Sequence, residues 1–139
     1  MMTRSCVTAV LILLLAAIPA GAALPSFNAT QIYTQAEFEA AIRPYVAAIA
    51  QNPNDADAHY WLGVAYLHGF RLFRFGVAPY GSEFASRAIA ELERALQLRP
   101  GMFGALLALL DLYALTGDQA KWAATFDRLI ALNPPLPVR

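Results

Sequence analysis

The chain has 139 residues, 58% of them hydrophobic and 14% charged, with ten basic side chains against ten acidic ones. That length holds one domain or one short repeat array rather than two cores, and the hydrophobicity excludes a disordered chain. The lack of a basic excess excludes broad electrostatic capture of nucleic acid, and the single cysteine, Cys6, excludes an intrachain disulfide or a cysteine metal site.

The first element is an address. Residues 1–22 carry Arg4 in a short positive start, an apolar run from Val7 to Ile18, and the small-residue exit Pro19-Ala-Gly-Ala22. This is the pattern of a signal peptide for the general secretory route, with Ala20 and Ala22 preceding a cut before Ala23, or one residue later before Leu24. An uncleaved anchor over residues 5–24 is the alternative, since about 18 to 20 apolar residues span a bilayer. The expected location is periplasmic or secreted after cleavage, and membrane-anchored without it. Residues 23–34 form a short N-terminal segment. Asn28-Ala-Thr30 within it matches a glycosylation sequon, a three-residue pattern of little weight.

Helices follow. Thr34-Gln-Ala-Glu37 is a capping box, which predicts a helix from Gln35 to just before Asn52-Pro53. Asn54 or Asp55 is placed to cap the second helix, whose apolar positions Trp61, Val64, Ala65, Leu67 and Phe70 give it more than one buried stripe. Ser82 is the predicted cap of a third helix over residues 83–98, which stops at Pro100-Gly101. The fourth, residues 103–116, is apolar nearly all round with Asp111 its only charge, and ends at Gly117. Asp118 caps the fifth, which stops before Asn133-Pro134-Pro135 and leaves residues 135–139 as a tail. In that helix Trp122, Phe126, Leu129 and Ile130 form one stripe, predicted to face the fourth helix. Five helices and no strand candidate make the chain all-α.

The helices repeat. Ala95-Leu-Gln-Leu98-Arg-Pro100 matches Leu129-Ile-Ala-Leu132-Asn-Pro134 at an offset of 34 residues. Leu62 and Tyr66 match Leu109 and Tyr113 at 47, as Ala41-Ile42, Ala48 and Pro53 match Ala88-Ile89, Ala95 and Pro100. Every comparison across residues 70–82 gives the larger offset, so one insertion of 13 residues in a 34-residue period explains all of them.

That period, with its large and small residues, resembles the tetratricopeptide repeat (TPR), a helix-turn-helix unit that stacks into a right-handed α-solenoid. The TPR-like region covers residues 35–134: a half repeat at 35–53, repeat one at 56–101 with the insertion 70–82, and repeat two at 103–134. Repeat one carries Leu62-Gly63, Tyr66, Ala88, Leu92, Ala95 and Pro100 at the signature places. Repeat two keeps Leu109, Tyr113, Gly117-Asp118, Phe126 and Pro134, but sets Leu110, Trp122 and Leu129 where small residues are usual.

Catalytic chemistry is missing from this pattern. His59 and His68 are nine residues apart, about two and a half helical turns, and point to opposite sides rather than toward one metal. Glu91 and Glu93 diverge on their helix, and Arg87–Glu91 and Glu91–Arg94 read as ordinary surface pairs. Gly76 and Gly81 follow no strand and make no phosphate loop. The chain is read as a non-enzyme without cofactor or metal.

What the resemblance implies is a protein or peptide partner in a concave groove lined by the first helix of each repeat. Carried over residue by residue, that groove comprises Asp57, Tyr60, Val64, Leu67 and His68, then Gly104, Leu107, Asp111, Ala114 and Leu115. It lacks the lysine, arginine and asparagine with which one TPR subset grips a C-terminal carboxylate. It is mostly apolar, with Asp57 and Asp111 as acidic edges, which suits an apolar partner segment with basic flanks. Cover by the protein's own tail or another subunit is the alternative. The insertion interleaves Phe70, Phe73, Phe75 and Tyr80 with Arg71 and Arg74. It reads either as a hairpin lengthened by about one turn on each side, or as a second surface for a partner or a membrane interface. Two and a half repeats bury their end faces poorly, so a homodimer abutting the C-terminal helices is expected. The reading is an exported, non-catalytic interaction scaffold; the rival is a membrane-associated structural subunit held by its anchor or its aromatic loop.

Overall fold

A computed structural model describes residues 23–132. The expected signal segment 1–22, and residues 133–139 with Pro134, Pro135 and the tail, lie outside the described residues. Five helices run in order: α1 (Gln35–Gln51), α2 (Ala56–Arg74), α3 (Phe84–Leu98), α4 (Phe103–Thr116) and α5 (Gln119–Leu132), with one 3-10 turn at Pro79–Gly81. No strand occurs among the described residues. Each helix packs on the next, and α2 also touches α4. This nearest-neighbour pattern is that of an α-solenoid of stacked hairpins.

The local signals act as the sequence predicts at most helix ends. The Thr34 N–H donates to the Glu37 carboxylate (2.8 Å), and the Glu37 N–H donates back to the Thr34 hydroxyl (3.3 Å), which closes the capping box. Asp55 accepts from the Ala58 N–H at 3.0 Å and Asp118 from the Lys121 N–H at 3.1 Å, so both acids cap their helices. Gly117 ends α4 in the left-handed region, at φ 77°. Ser82 does not cap. It already has helical dihedrals (φ −55°, ψ −37°), whereas a capping side chain needs an extended backbone to reach the first N–H groups. The chain enters α3 through the 3-10 turn instead, and α3 begins at Phe84. The insertion thus adds a turn to one side of the hairpin only, by extending α2 through Arg74.

The core lies where α2 meets α3 and α4. Leu62, Leu92, Leu96, Leu106, Leu109 and Leu112 are buried there. Gly63 sets the spacing of the first hairpin, since a Cβ at that position would stand 2.6 Å from Leu92 Cγ. Ala88 and Ala95 are also fully buried against this contact. The fifth helix differs from expectation. Its buried residue is Thr125, whose hydroxyl donates to the Lys121 carbonyl at 2.7 Å. Leu129 packs on the core, but Trp122, Phe126 and Ile130 keep about two-fifths of their surface exposed. The inward face is centred on Thr125 and Leu129, so Trp122, Phe126 and Ile130 fall on its flank and are only partly covered.

Candidate partner-binding surfaces

The groove residues divide into a closed part and an open part. Leu67 and His68 are buried, at 4% and 7% exposure, which corrects their assignment to a partner-facing surface. Tyr60 is half-buried, lies tilted against Trp61 with ring centres 4.9 Å apart, and brings its hydroxyl 2.7 Å from where a Cβ at Gly104 would stand. Val64 and Leu115 are half-buried against the core, whereas Leu107 is 45% exposed and Ala114 is exposed. The open part therefore centres on Leu107, with Val64, Ala114 and Leu115 around it.

The two acids of the groove are already paired. Arg99 donates two hydrogen bonds to Asp57 (2.8 and 3.4 Å), which hold its guanidinium above its ordinary pKa, and Arg71 pairs with Asp111. The acidic edge expected to select basic flanks is paired within the chain at its surface, because Arg71 and Arg99 sit at the end of α2 and just past α3, where both acids lie within reach. No spacing on a single helix reveals this.

His68 is covered by the protein's own segment 23–34. Its Nε2–H donates to the Gln31 carbonyl at 2.7 Å, and the rings of Phe27 and Tyr33 lie 5.7 and 6.0 Å from it, edge to face. Three tyrosine hydroxyls pin that segment down: Tyr45 donates to the Pro25 carbonyl (2.8 Å), Tyr33 to Asn28 (2.9 Å) and Tyr80 to Tyr33 (2.7 Å). Burial pushes all three phenols above their ordinary pKa. Phe27 and Tyr33 lie outside the repeat and carry no repeat signature. A signal was present, for Tyr33 and Phe38 stand immediately before the cap and four residues into α1, the places of a hydrophobic staple, and their rings are 6.4 Å apart.

The insertion also splits. Phe70 is buried and stacks on Phe73 (6.2 Å), Tyr80 packs 5.9 Å from Phe84, and Arg71 is drawn into the groove by Asp111. The tip stands clearest: Phe75 is 79% exposed, with Arg74 and Val77 exposed beside it, while Phe73 keeps 36% of its surface exposed.

His59 belongs to the scaffold. Its Nδ1 lies 2.6 Å from Glu91 and its Nε2 2.8 Å from the Pro53 carbonyl, so one ring ties α2 to α3 and to the preceding turn. Glu91 pairs with this histidine, not with Arg87 or Arg94. Arg87 lies over the Tyr66 and Phe84 rings, and Arg94 donates to Asn54 at 2.9 Å. Among the described residues no group of three or more His, Cys, Asp or Glu side chains is placed to hold a metal, and no helix is long and apolar enough to cross a membrane.

Residues 32–69 match the family model of a TPR repeat, and residues 73–137 that of a tetratricopeptide repeat. The chain belongs to the tetratricopeptide repeat family. TPR repeats are in general protein–protein interaction modules, and the family is typically a non-catalytic scaffold. Curated proteins provide no match to this TPR chain.

Proposed function

We infer that this TPR protein is an exported, non-catalytic scaffold that binds an apolar segment of a partner chain on the open part of its groove. The observation that carries this reading is Leu107, a large apolar side chain 45% exposed in the middle of the helix-first face, flanked by half-buried Val64 and Leu115. With Asp57 and Asp111 already paired, the fit favours an apolar segment without a requirement for basic flanks. Export rests on the signal-like residues 1–22, and sequencing the N-terminus of the protein from its native cell tests it: a start at Ala23 or Leu24 supports cleavage. Leu107→Glu is expected to weaken capture of the native partner at least tenfold, about 1.4 kcal/mol, with helical content unchanged by circular dichroism. Normal capture by that variant would remove the groove as the binding surface.

A second reading, a membrane-associated subunit, draws on the tip, where Phe75 projects beside Arg74 in the manner of an interfacial anchor. Flotation with liposomes of anionic lipid tests it, since Phe75→Glu would abolish flotation that depends on this loop.

A further inference from the structure

The C-terminal end of the solenoid, away from the tip and mostly outside the groove, carries a continuous apolar face. On α4, Phe103, Leu107 and Ala114 fall at i, i+4 and i+11, and all are exposed. On α5, Trp122, Phe126 and Ile130 fall at i, i+4 and i+8. Trp122 and Phe126 stack face to face, 5.1 Å apart. The two rows join at both ends: Ala114 and Trp122 line one hollow, and Leu132 reaches to within 3.9 Å of where a Cβ at Gly101 would stand.

The repeat offsets show what kind of surface this is. At 34 residues, Trp122, Phe126 and Ile130 stand where Ala88, Leu92 and Leu96 stand in α3; at 47, Leu107 stands where Tyr60 stands in α2. Ala88, Leu92 and Leu96 are buried in the core to which α4 contributes, and Tyr60 lies against α4 at Gly104. Their counterparts form the same kind of helix-receiving face, left open.

We propose that a second copy of this chain covers this face, in a two-fold dimer in which the α4–α5 face of one protomer packs on the same face of the other; this rests on the reading of Leu107 as a partner-contact residue and names the second copy as the chain that covers it. The area fits. Phe103, Leu107, Trp122, Phe126, Ile130 and Leu132 are 38% to 48% exposed, and with roughly 200 Å² available per large side chain they leave on the order of 500 Å² of apolar surface. A stable dimer buries about 800 Å² per partner, about 65% of it apolar in homodimers. Charge does not oppose it, since the chain is formally neutral and both Lys121 and Arg128 are in ion pairs, with Asp118 and Glu93. The opposite end of the solenoid offers no matching face for a head-to-tail contact. There the exposed large apolar residues are only Ile32 and Val46, beside the polar Gln35, Glu39 and Arg43, and segment 23–34 already covers Phe38 and His68.

Sedimentation equilibrium of the full chain as purified from its expressing cell, at micromolar concentration, is expected to give twice the mass of one chain. The double variant Trp122→Glu/Phe126→Glu is expected to halve that mass with its helical circular dichroism retained, whereas Phe75→Glu leaves it unchanged. Cysteine placed at Phe126 in a Cys6→Ser chain should give a covalent dimer with a short bis-maleimide, and cysteine at Phe75 should not. This decides the matter even where the double variant fails to fold. A wild-type monomer at these concentrations, a dimer that survives the double variant, or crosslinking at Phe75 alone would overturn the proposal and leave the face to the protein's own tail or a foreign helix.

Discussion

The two hairpins of this protein share a period and differ in how closely their helices approach. In α2–α3, Gly63, Ala88 and Ala95 let Leu92 sink between the helices until nothing of it reaches solvent. In α4–α5 the counterparts are Leu110, Trp122 and Leu129, and Phe126, in the place of Leu92, stays 38% exposed. One hairpin is built to be enclosed by neighbours on both flanks, the other to present one flank outward. The lesson is that a repeat position has a size but not a fixed burial. Burial depends on whether another helix lies beside it.

The comparison breaks most visibly at its central pair. Leu92→Ala should cost about 2 to 5 kcal/mol, because a fully buried side chain leaves a cavity that a rigid hairpin cannot collapse. Phe126→Ala, measured on the monomer by urea denaturation, should cost less than half as much, since part of that ring is already hydrated. Equal losses would show that α5 is as enclosed as α3.

Gly63→Leu probes the same contrast from the other side. Its Cβ would meet Leu92 at 2.6 Å, and overpacking of this sort costs about 1 to 3 kcal/mol. An unchanged melting temperature would mean that the first hairpin is no tighter than the second.

A smaller effect sharpens the boundary between the hairpins. Tyr113 of α4 lies buried beside Glu93 of α3, and burial first, then the Glu93 charge, pushes its phenol up to about 12. The folded state therefore holds this proton more tightly than the unfolded chain, where a tyrosine loses it near pH 10. The resulting stability is present in full below pH 10 and is lost as pH rises toward 12. Spectrophotometric titration should find Tyr113 ionising last, with α3–α4 unfolding in that window; a normal titration of Tyr113 in a folded protein would contradict this.

Much of the architecture was legible in the linear chain. Helix number, most helix ends and the solenoid follow from caps, glycine and proline positions and one repeat period. Each of these acts over a few residues, or over a period that survives an insertion. The site was legible only in part. Leu107 is exposed where the repeat alignment put it, but His68 and Leu67 are not. His68 is closed over by Phe27 and Tyr33, which arrive from a segment outside the repeat and obey none of its spacing. Asp57 and Asp111, assigned to the groove by the repeat alignment, are paired with Arg99 and Arg71, 42 and 40 residues away in the chain. The sequence by itself determined which faces are apolar, because side-chain chemistry and helical period are local. Only the tertiary structure decided which of those faces are used up internally and which remain for a partner, because burial and ion pairing depend on segments brought together by the fold.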